Sequence, residues 1–263
     1  MQQAPANPTN LFDVQIPENY KIYKACDGSE EEFLIADSGK SPDRILVFGR
    51  KTWVQEILGE SDTWYADGTF NLAPPLFSQV YVILAQKLGG VHPVIYALLP
   101  NKQKVTHIKL FEMLKLLFLE VTPKSLLCDF EIGPISAVKE VFPNTEIKGC
   151  FYHLSHNLHK HLRSLGMTHS YNNDAEFALK TKMILALCFV PVEDMDIYVD
   201  ALSEFLPDDL QELLNWFEDS YIGRANRNRR GRRPSPFPMD TWNLYHRTLN
   251  KEDKTNNHAE AAH

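Results

Sequence analysis

Two aspartates stand where strands of this composition would ordinarily carry none. In the segment TWYADGTFNLA, alternation puts Tyr65, Asp67, Thr69 and Asn71 on one strand face and Trp64, Ala66, Gly68 and Phe70 on the other. Asp129 has a similar setting, with Leu126, Leu127 and Cys128 before it and Phe130 after it. An ionised carboxylate in apolar surroundings is costly unless compensated, and two of them on adjacent strands repel each other. A shared divalent cation removes both difficulties. The chemistry that uses such a pair is phosphodiester cleavage and strand transfer with two metal ions roughly 3.5–4 Å apart, one activating the attacking oxygen and one stabilising the leaving oxygen. Hard carboxylate ligands select Mg²⁺ or Mn²⁺, and a third acid normally completes the set, for which Glu260 is the candidate. Each acid also has an ordinary reading. A strand-end Asp is often a turn former or surface acid, and Glu260 stands where a capping box begun by Asn257 would put it, a role compatible with metal ligation.

The second chemical feature is basic. Between Arg224 and Arg233 the sequence RANRNRRGRR carries Arg224, Arg227, Arg229, Arg230, Arg232 and Arg233 with no acid among them. Such a run reads as a solvated loop, an import signal or a phosphate-contacting arm. A helix expected from Leu154 to Leu165 adds His156, His159, Lys160 and Arg163 on the side opposite Leu154, Leu158, Leu162 and Leu165.

These residues need elements to position them. Three strand-like segments, DTWYADGTFNLA, FSQVYVILAQ and VHPVIYALLP, follow one another with PP and LGG as punctuation, which predicts an antiparallel meander. Residues 105–118 switch to helical period through Ile108, Phe111, Leu114, Leu117 and Phe118. A short buried strand, KSLLCDFE, comes next, then a helix carrying Ile135, Val138 and Phe142, then a strand EIKGCFYH. Upstream, EEFLIADSG and RILVFGR read as short strands, and Trp53 to Leu58 as an amphipathic stretch. From about residue 174 the strand signal stops. Residues 175–190 and 193–222 read as helices, the latter broken at Pro207 and carrying Leu210, Leu213, Leu214, Phe217 and Tyr221 at helical spacing. The predicted organisation is an N-terminal flanking segment (1–60), the first part of a mixed α/β core (61–170), a helical insertion with the Arg-rich loop (171–250), and a return to the core (251–263).

Composition sets outer bounds. The 263 residues, 44% hydrophobic and 23% charged, are those of an ordinary folded chain. No signal-peptide pattern and no long uncharged apolar window occurs, which predicts a soluble, intracellular protein without a membrane partner. Its four cysteines are widely spaced, as expected of reduced thiols. A net charge of −7 argues against nucleic acid on average, but the Arg run is a local exception.

Assembled in order, WYADGTFNLAPPLFSQVYVI, VIYALLPNK, LCDFEIGPISAVKEVFP, GCFYHLSHNLHKHL, YIGR, WNLYHR and TNNHAEAAH resemble the Mutator-like element transposases, a branch of the DDE transposases. The resemblance spans roughly residues 33–263. It implies an RNase H-like core in which three antiparallel strands precede parallel strands with flanking helices, interrupted by an all-helical insertion. It makes Asp67, Asp129 and Glu260 the catalytic, metal-binding acids. Glu131, two residues past Asp129 where the strand gives way to a loop, reads as a supporting neighbour and not as a ligand. The family's Cys-x-x-His signature falls on Cys150 and His153, which read either as a buried thiol with a hydrogen-bonded strand-end histidine or as half of a structural zinc site completed by His258 and His263. The implied activity is metal-dependent cleavage and transfer of transposon-end DNA in the nucleus. The implied partners are terminal inverted repeats, target DNA and a second copy of the chain. The chain ends three residues past Glu260 and shows no N-terminal zinc-finger module. Those departures read as a fragment, a decayed copy or a shortened gene product, and give the rival expectation of a domesticated, non-catalytic DNA-binding or regulatory protein.

Overall fold

Extended segments rich in Val, Ile, Tyr and Leu form the first half of the chain, and helical periodicity forms the second. The computed structural model describes residues 8–119, 121–226 and 231–260. The chain divides into two units, residues 1–147 with 257–263, and residues 148–256.

In the first unit β1 (Ile22–Lys24) and β2 (Glu30–Glu32) form a small antiparallel pair. The strands and helices that follow are β3 (Leu34–Asp37), β4 (Leu46–Phe48), α1 (Lys51–Glu60), β5 (Thr63–Thr69), β6 (Gln79–Lys87), β7 (Gly90–Leu99), α2 (Lys104–Leu117), β8 (Ser125–Cys128), α3 (Ile132–Val141) and β9 (Glu146–Gly149). One seven-stranded sheet runs in the order β3-β4-β7-β6-β5-β8-β9. The predicted meander is present: β5, β6 and β7 are antiparallel neighbours. β8 then pairs parallel to β5 on its other side. The β6–β7 turn has Leu88 (φ 53°) and Gly89 (φ 75°) both left-handed, the tight primed geometry that matches strand twist. Leu88, 92% exposed, is carried at its tip. β6 is a continuous buried run from Tyr81 to Ala85 rather than an alternating one, because helices cover both faces of the sheet there. Of the strands upstream of residue 60, β3 and β4 join this sheet, β4 pairing antiparallel with β7.

The second unit holds α4 (Phe151–Ser164), α5 (Thr168–Asn173), α6 (Ala175–Ala186), α7 (Met195–Phe205), α8 (Asp208–Phe217), α9 (Met239–Trp242) and α10 (Tyr245–Leu249). Asp174 caps α6 by accepting from the amides of Glu176 (2.9 Å) and Phe177 (3.1 Å). Pro207 separates α7 from α8 as its missing donor requires. Leu210, Leu213, Leu214, Phe217 and Tyr221 are buried at the spacing read from sequence, and the Trp242 indole closes over them by donating to the Tyr221 carbonyl at 2.7 Å. Among the described residues 175–250 hold no strand, only an isolated antiparallel bridge between Ala225 and Arg232. The short helix α11 (Asn257–Glu260) belongs to the first unit again.

One element is corrected. The strand expected to reach His153 ends at Gly149, and the helix expected from Leu154 starts at Phe151. Cys150 keeps an extended backbone (φ −79°, ψ 125°) as the N-cap, and the Phe151 amide is satisfied by the Lys254 carbonyl at 2.7 Å. His153 is therefore a first-turn helical residue, not a strand-end one.

Candidate functional site

The register of β5 against β8 decides where the two aspartates stand. Trp64 lies opposite Leu126, Tyr65 opposite Leu127 and Ala66 opposite Cys128. Asp67 and Asp129 are each one residue beyond the last of these pairs, so they occur level with one another at the C-terminal ends of adjacent parallel strands. Residues in parallel register share a face, and neighbouring strands are about 4.8 Å apart. Both aspartates are half-buried. The Gly68 amide donates to Asp67 Oδ1 at 2.9 Å and the Phe130 amide to Asp129 Oδ1 at 2.5 Å, so each carboxylate is oriented by the next backbone N–H. A Cβ at position 68 would fall 2.5 Å from Oε1 of buried Gln79, so any larger residue beside Asp67 would have to displace the Gln79 side chain from its 3.3 Å bond to the Asn101 carbonyl.

Polar groups beneath these acids were not singled out from the sequence. Tyr81, opposite Gly68 and on the reverse face from Asp67, is fully buried, and its hydroxyl has no hydrogen-bond partner among the described residues. Burial, and then the negative field of Cys128, Glu131, Asp67 and Asp129, hold that hydroxyl well above its ordinary range. His107 packs edge-on against Tyr81 at 5.1 Å, its Nδ1 is 3.0 Å from the Gln103 carbonyl and its Nε2 is 3.4 Å from Gln79 Nε2. A ring that donates through Nδ1 and accepts at Nε2 is neutral, and burial holds its pKa below the usual histidine value. Glu131, two residues beyond Asp129, pairs with Lys102 at 3.1 Å. The Lys102 ammonium also lies 3.4 Å from the centre of the Phe70 ring, just past the end of β5. Gln79 and Tyr81, two apart and so on one face of FSQVYVILAQ, were the available signal for the buried polar layer.

α11 packs on β5 and β6, with the His258 ring 5.6 Å from that of Tyr65, two residues before Asp67. The backbone of Glu260 thus lies on the helix laid against the strand of the first aspartate, while its side chain, like the whole of His263, lies outside what the structure describes. In the second unit Cys150 is buried and its Sγ accepts from the Asn256 amide at 3.1 Å. Among the described residues no three His, Cys, Asp or Glu side chains are arranged to hold a metal ion.

The expected basic surfaces divide. On α4, Leu154, Leu158 and Leu162 are buried, and His156, Lys160 and Arg163 are exposed. His159 is committed internally, with Nδ1 2.7 Å from the Ser155 carbonyl and Nε2 3.0 Å from the Tyr171 hydroxyl. In the Arg run, Arg224 pairs with Asp219 and Glu218, and Arg232, 10% exposed, bridges Asp196 and Glu218 while donating to the Gly223 carbonyl. Arg232 was expected in a phosphate-contacting arm. Its guanidinium instead neutralises two acids inside the unit, which removes it from that set. Arg233 is exposed, and Arg227, Arg229 and Arg230 lie outside the described residues.

Residues 63–157 match the MULE transposase domain, a span that contains both aspartates and the whole run from β5 to the first half of α4. No curated protein matches the chain.

Proposed function

We propose that this chain carries the catalytic core of a Mutator-like DNA transposase, an RNase H-like sheet whose acids Asp67, Asp129 and Glu260 hold two Mg²⁺ or Mn²⁺ ions for DNA cleavage and strand transfer. The observation that carries the reading is the level placement of Asp67 and Asp129 at the ends of parallel β5 and β8, inside the span that matches the transposase domain. The strand order β7-β6-β5-β8-β9, antiparallel through its first three members and parallel at β5–β8, supports the RNase H-like description.

The donor set fits the metals. Two half-buried carboxylates on one face of the sheet are hard oxygen ligands of the kind that hold Mg²⁺ or Mn²⁺. When bound, the ions supply activation of the attacking hydroxyl and stabilisation of the departing oxygen. The chain's own residues do the positioning. Gly68 and Phe130 fix the two carboxylates through their amides, and α11 brings the Glu260 backbone against β5. Lys102 pairs with Glu131, two residues beyond Asp129, and so places a cation beside the end of β8. Exposed Arg233, His156, Lys160 and Arg163 give the second unit cations for DNA phosphates, together with Arg227, Arg229 and Arg230 of the same run.

The test is nicking of supercoiled DNA by the full chain in Mg²⁺ or Mn²⁺. Asp67→Asn and Asp129→Asn should each lower the rate by roughly a thousandfold or more with an unchanged melting temperature, the scale of removing an essential transition-state stabiliser. Glu131→Gln should retain most of the activity. Nicking that survives both Asn substitutions would sink the assignment.

A further inference from the structure

The loop after β7 places a cation at the end of the sheet where the two aspartates stand. Asn101 fixes this loop. Its carbonyl accepts from Gln79 Nε2 at 3.3 Å, and its side-chain oxygen accepts from the Gln103 amide at 2.9 Å and the Thr106 hydroxyl at 2.6 Å. From the other side the first turn of α3 presses on it, because a Cβ at Gly133 would fall 2.7 Å from the Lys102 carbonyl. The backbone of Lys102 is therefore held by β6, α2 and α3 together.

The side chain has its own supports. The ammonium lies 3.4 Å from the centre of the Phe70 ring and 3.1 Å from Glu131 Oε1. Phe70 is three residues past Asp67 and Glu131 two past Asp129, so the ammonium bridges the segments that leave the two aspartates. No more than about 10 Å of extended chain separates either aspartate from the residue that holds the ammonium. Stability is a weak reason for this arrangement: the Lys102 side chain is 50% exposed, and ion pairs so exposed contribute about 1 kcal/mol at most. An ammonium has three donors, of which Glu131 takes one and the face of Phe70 another, and a third is left for a further acceptor. Asp67, Asp129 and Glu131 make this end of the sheet anionic, so a phosphate backbone that approaches the aspartates needs a cation at their rim. Lys104 does not supply it, because its ammonium pairs at 2.6 Å with Glu140 in the last turn of α3.

We propose that Lys102 is a substrate-binding residue of the acidic site, one that holds a backbone phosphate of the DNA a few nucleotides from the bond that is cut, with Phe70 and Glu131 orienting its ammonium. The identity of the bond rests on the transposase reading, whereas the phosphate contact is a property of binding and is measured without cleavage.

The first measurement on the full chain is the slope of log affinity against log salt for a short labelled DNA duplex in Ca²⁺. Lys102→Gln should flatten it by roughly 0.9, the loss of one phosphate contact, and Lys102→Arg should keep it. Lys104→Gln removes the same charge from an exposed ammonium paired elsewhere and should leave the slope as it is. Glu131→Gln should tighten binding, opposite in sign to Lys102→Gln, whereas a pair that only braced the loop would weaken binding whichever partner was removed. The second measurement is nicking of supercoiled DNA in Mg²⁺. There Lys102→Gln should raise KM by roughly tenfold or more and change kcat far less, as the loss of a contact made equally in ground and transition states does. A slope and KM unchanged in Lys102→Gln, equal losses in Lys102→Gln and Lys102→Arg, or equal flattening in Lys104→Gln overturns the proposal. Nicking that persists in Asp67→Asn, together with a flattened slope in Lys102→Gln, would sink the catalytic reading and leave the phosphate contact standing.

Discussion

At the scale of the residue, His107 shows how a side chain with no part in the chemistry ties the site to pH. It is fully buried between Tyr81 and the Gln103 carbonyl, and its contacts describe a neutral ring. Burial lowers its pKa in the folded protein, only partly offset by the Gln103 carbonyl and by the field of Glu131. A base whose folded pKa is depressed binds fewer protons folded than unfolded. Its neutral form therefore costs no stability above the unfolded value of about 6.5, and stability falls as pH drops through that value toward the folded one. The expected result is a urea midpoint that declines between pH 7.5 and pH 5.5, and a His107→Gln variant that loses most of that slope while keeping a polar contact to Gln79. A slope equal in both proteins would show that other groups set it. The same burial argument applies to Cys188, whose thiol is pushed up to about 12 and is inert at neutral pH, a structural sulfur as the sequence spacing implied.

At the scale of the element, the hairpin that carries the Arg run depends on one glycine. Gly223 has φ 87° at the end of the π-helical turn Glu218–Ile222, where its amide donates to the Glu218 carbonyl. A Cβ there would collide with the Arg233 carbonyl, and the Arg233 amide is bonded to the Arg224 carbonyl at 2.8 Å, so the backbone has no room to yield. Gly223→Ala should destabilise by roughly 2–4 kcal/mol, the sum of a left-handed penalty and a backbone clash, and calorimetry of the second unit's transition measures it. Sequence reading placed that glycine in YIGR but attached no geometry to it. The strands and helices themselves were legible because their periods of 2 and 3.6 are local properties, as Asp67 in β5 and Leu154, Leu158 and Leu162 on α4 demonstrate. The boundary at Cys150 was not, since it is set by the Lys254 carbonyl a hundred residues away. Nor was the level pairing of Asp67 with Asp129, because register is a relation between strands that alternation within either cannot supply. The internal pairing of Arg232 was hidden for the same reason: its acids, Asp196 and Glu218, are remote in sequence.

At the scale of the whole molecule, a chain of net charge −7 must concentrate its cations to hold DNA, and the structure narrows which ones are available. Arg224 and Arg232 are bound to Asp196, Glu218 and Asp219, and removing Arg232 would leave largely buried Glu218 with Arg224 as its one remaining cation among the described residues and cost the Gly223 carbonyl its donor. Arg233 is exposed, as are His156, Lys160 and Arg163 on α4, while the uninterrupted acids between Lys182 and Arg224 repel a phosphate backbone. The informative variant therefore changes Arg227, Arg229, Arg230 and Arg233 to Gln and leaves the internally paired Arg232 in place. Each phosphate contact removed should flatten the slope of log affinity against log salt by roughly 0.9 on duplex DNA, weakening all sequences alike because backbone contacts carry no base information. Arg232→Gln alone should instead lower the melting temperature with little effect on that slope, which separates a structural arginine from a DNA-contacting one. If the fourfold variant keeps the slope of the parent, the run makes no phosphate contact, and neutral substitutions of His156, Lys160 and Arg163 are the next test of where a phosphate backbone is held.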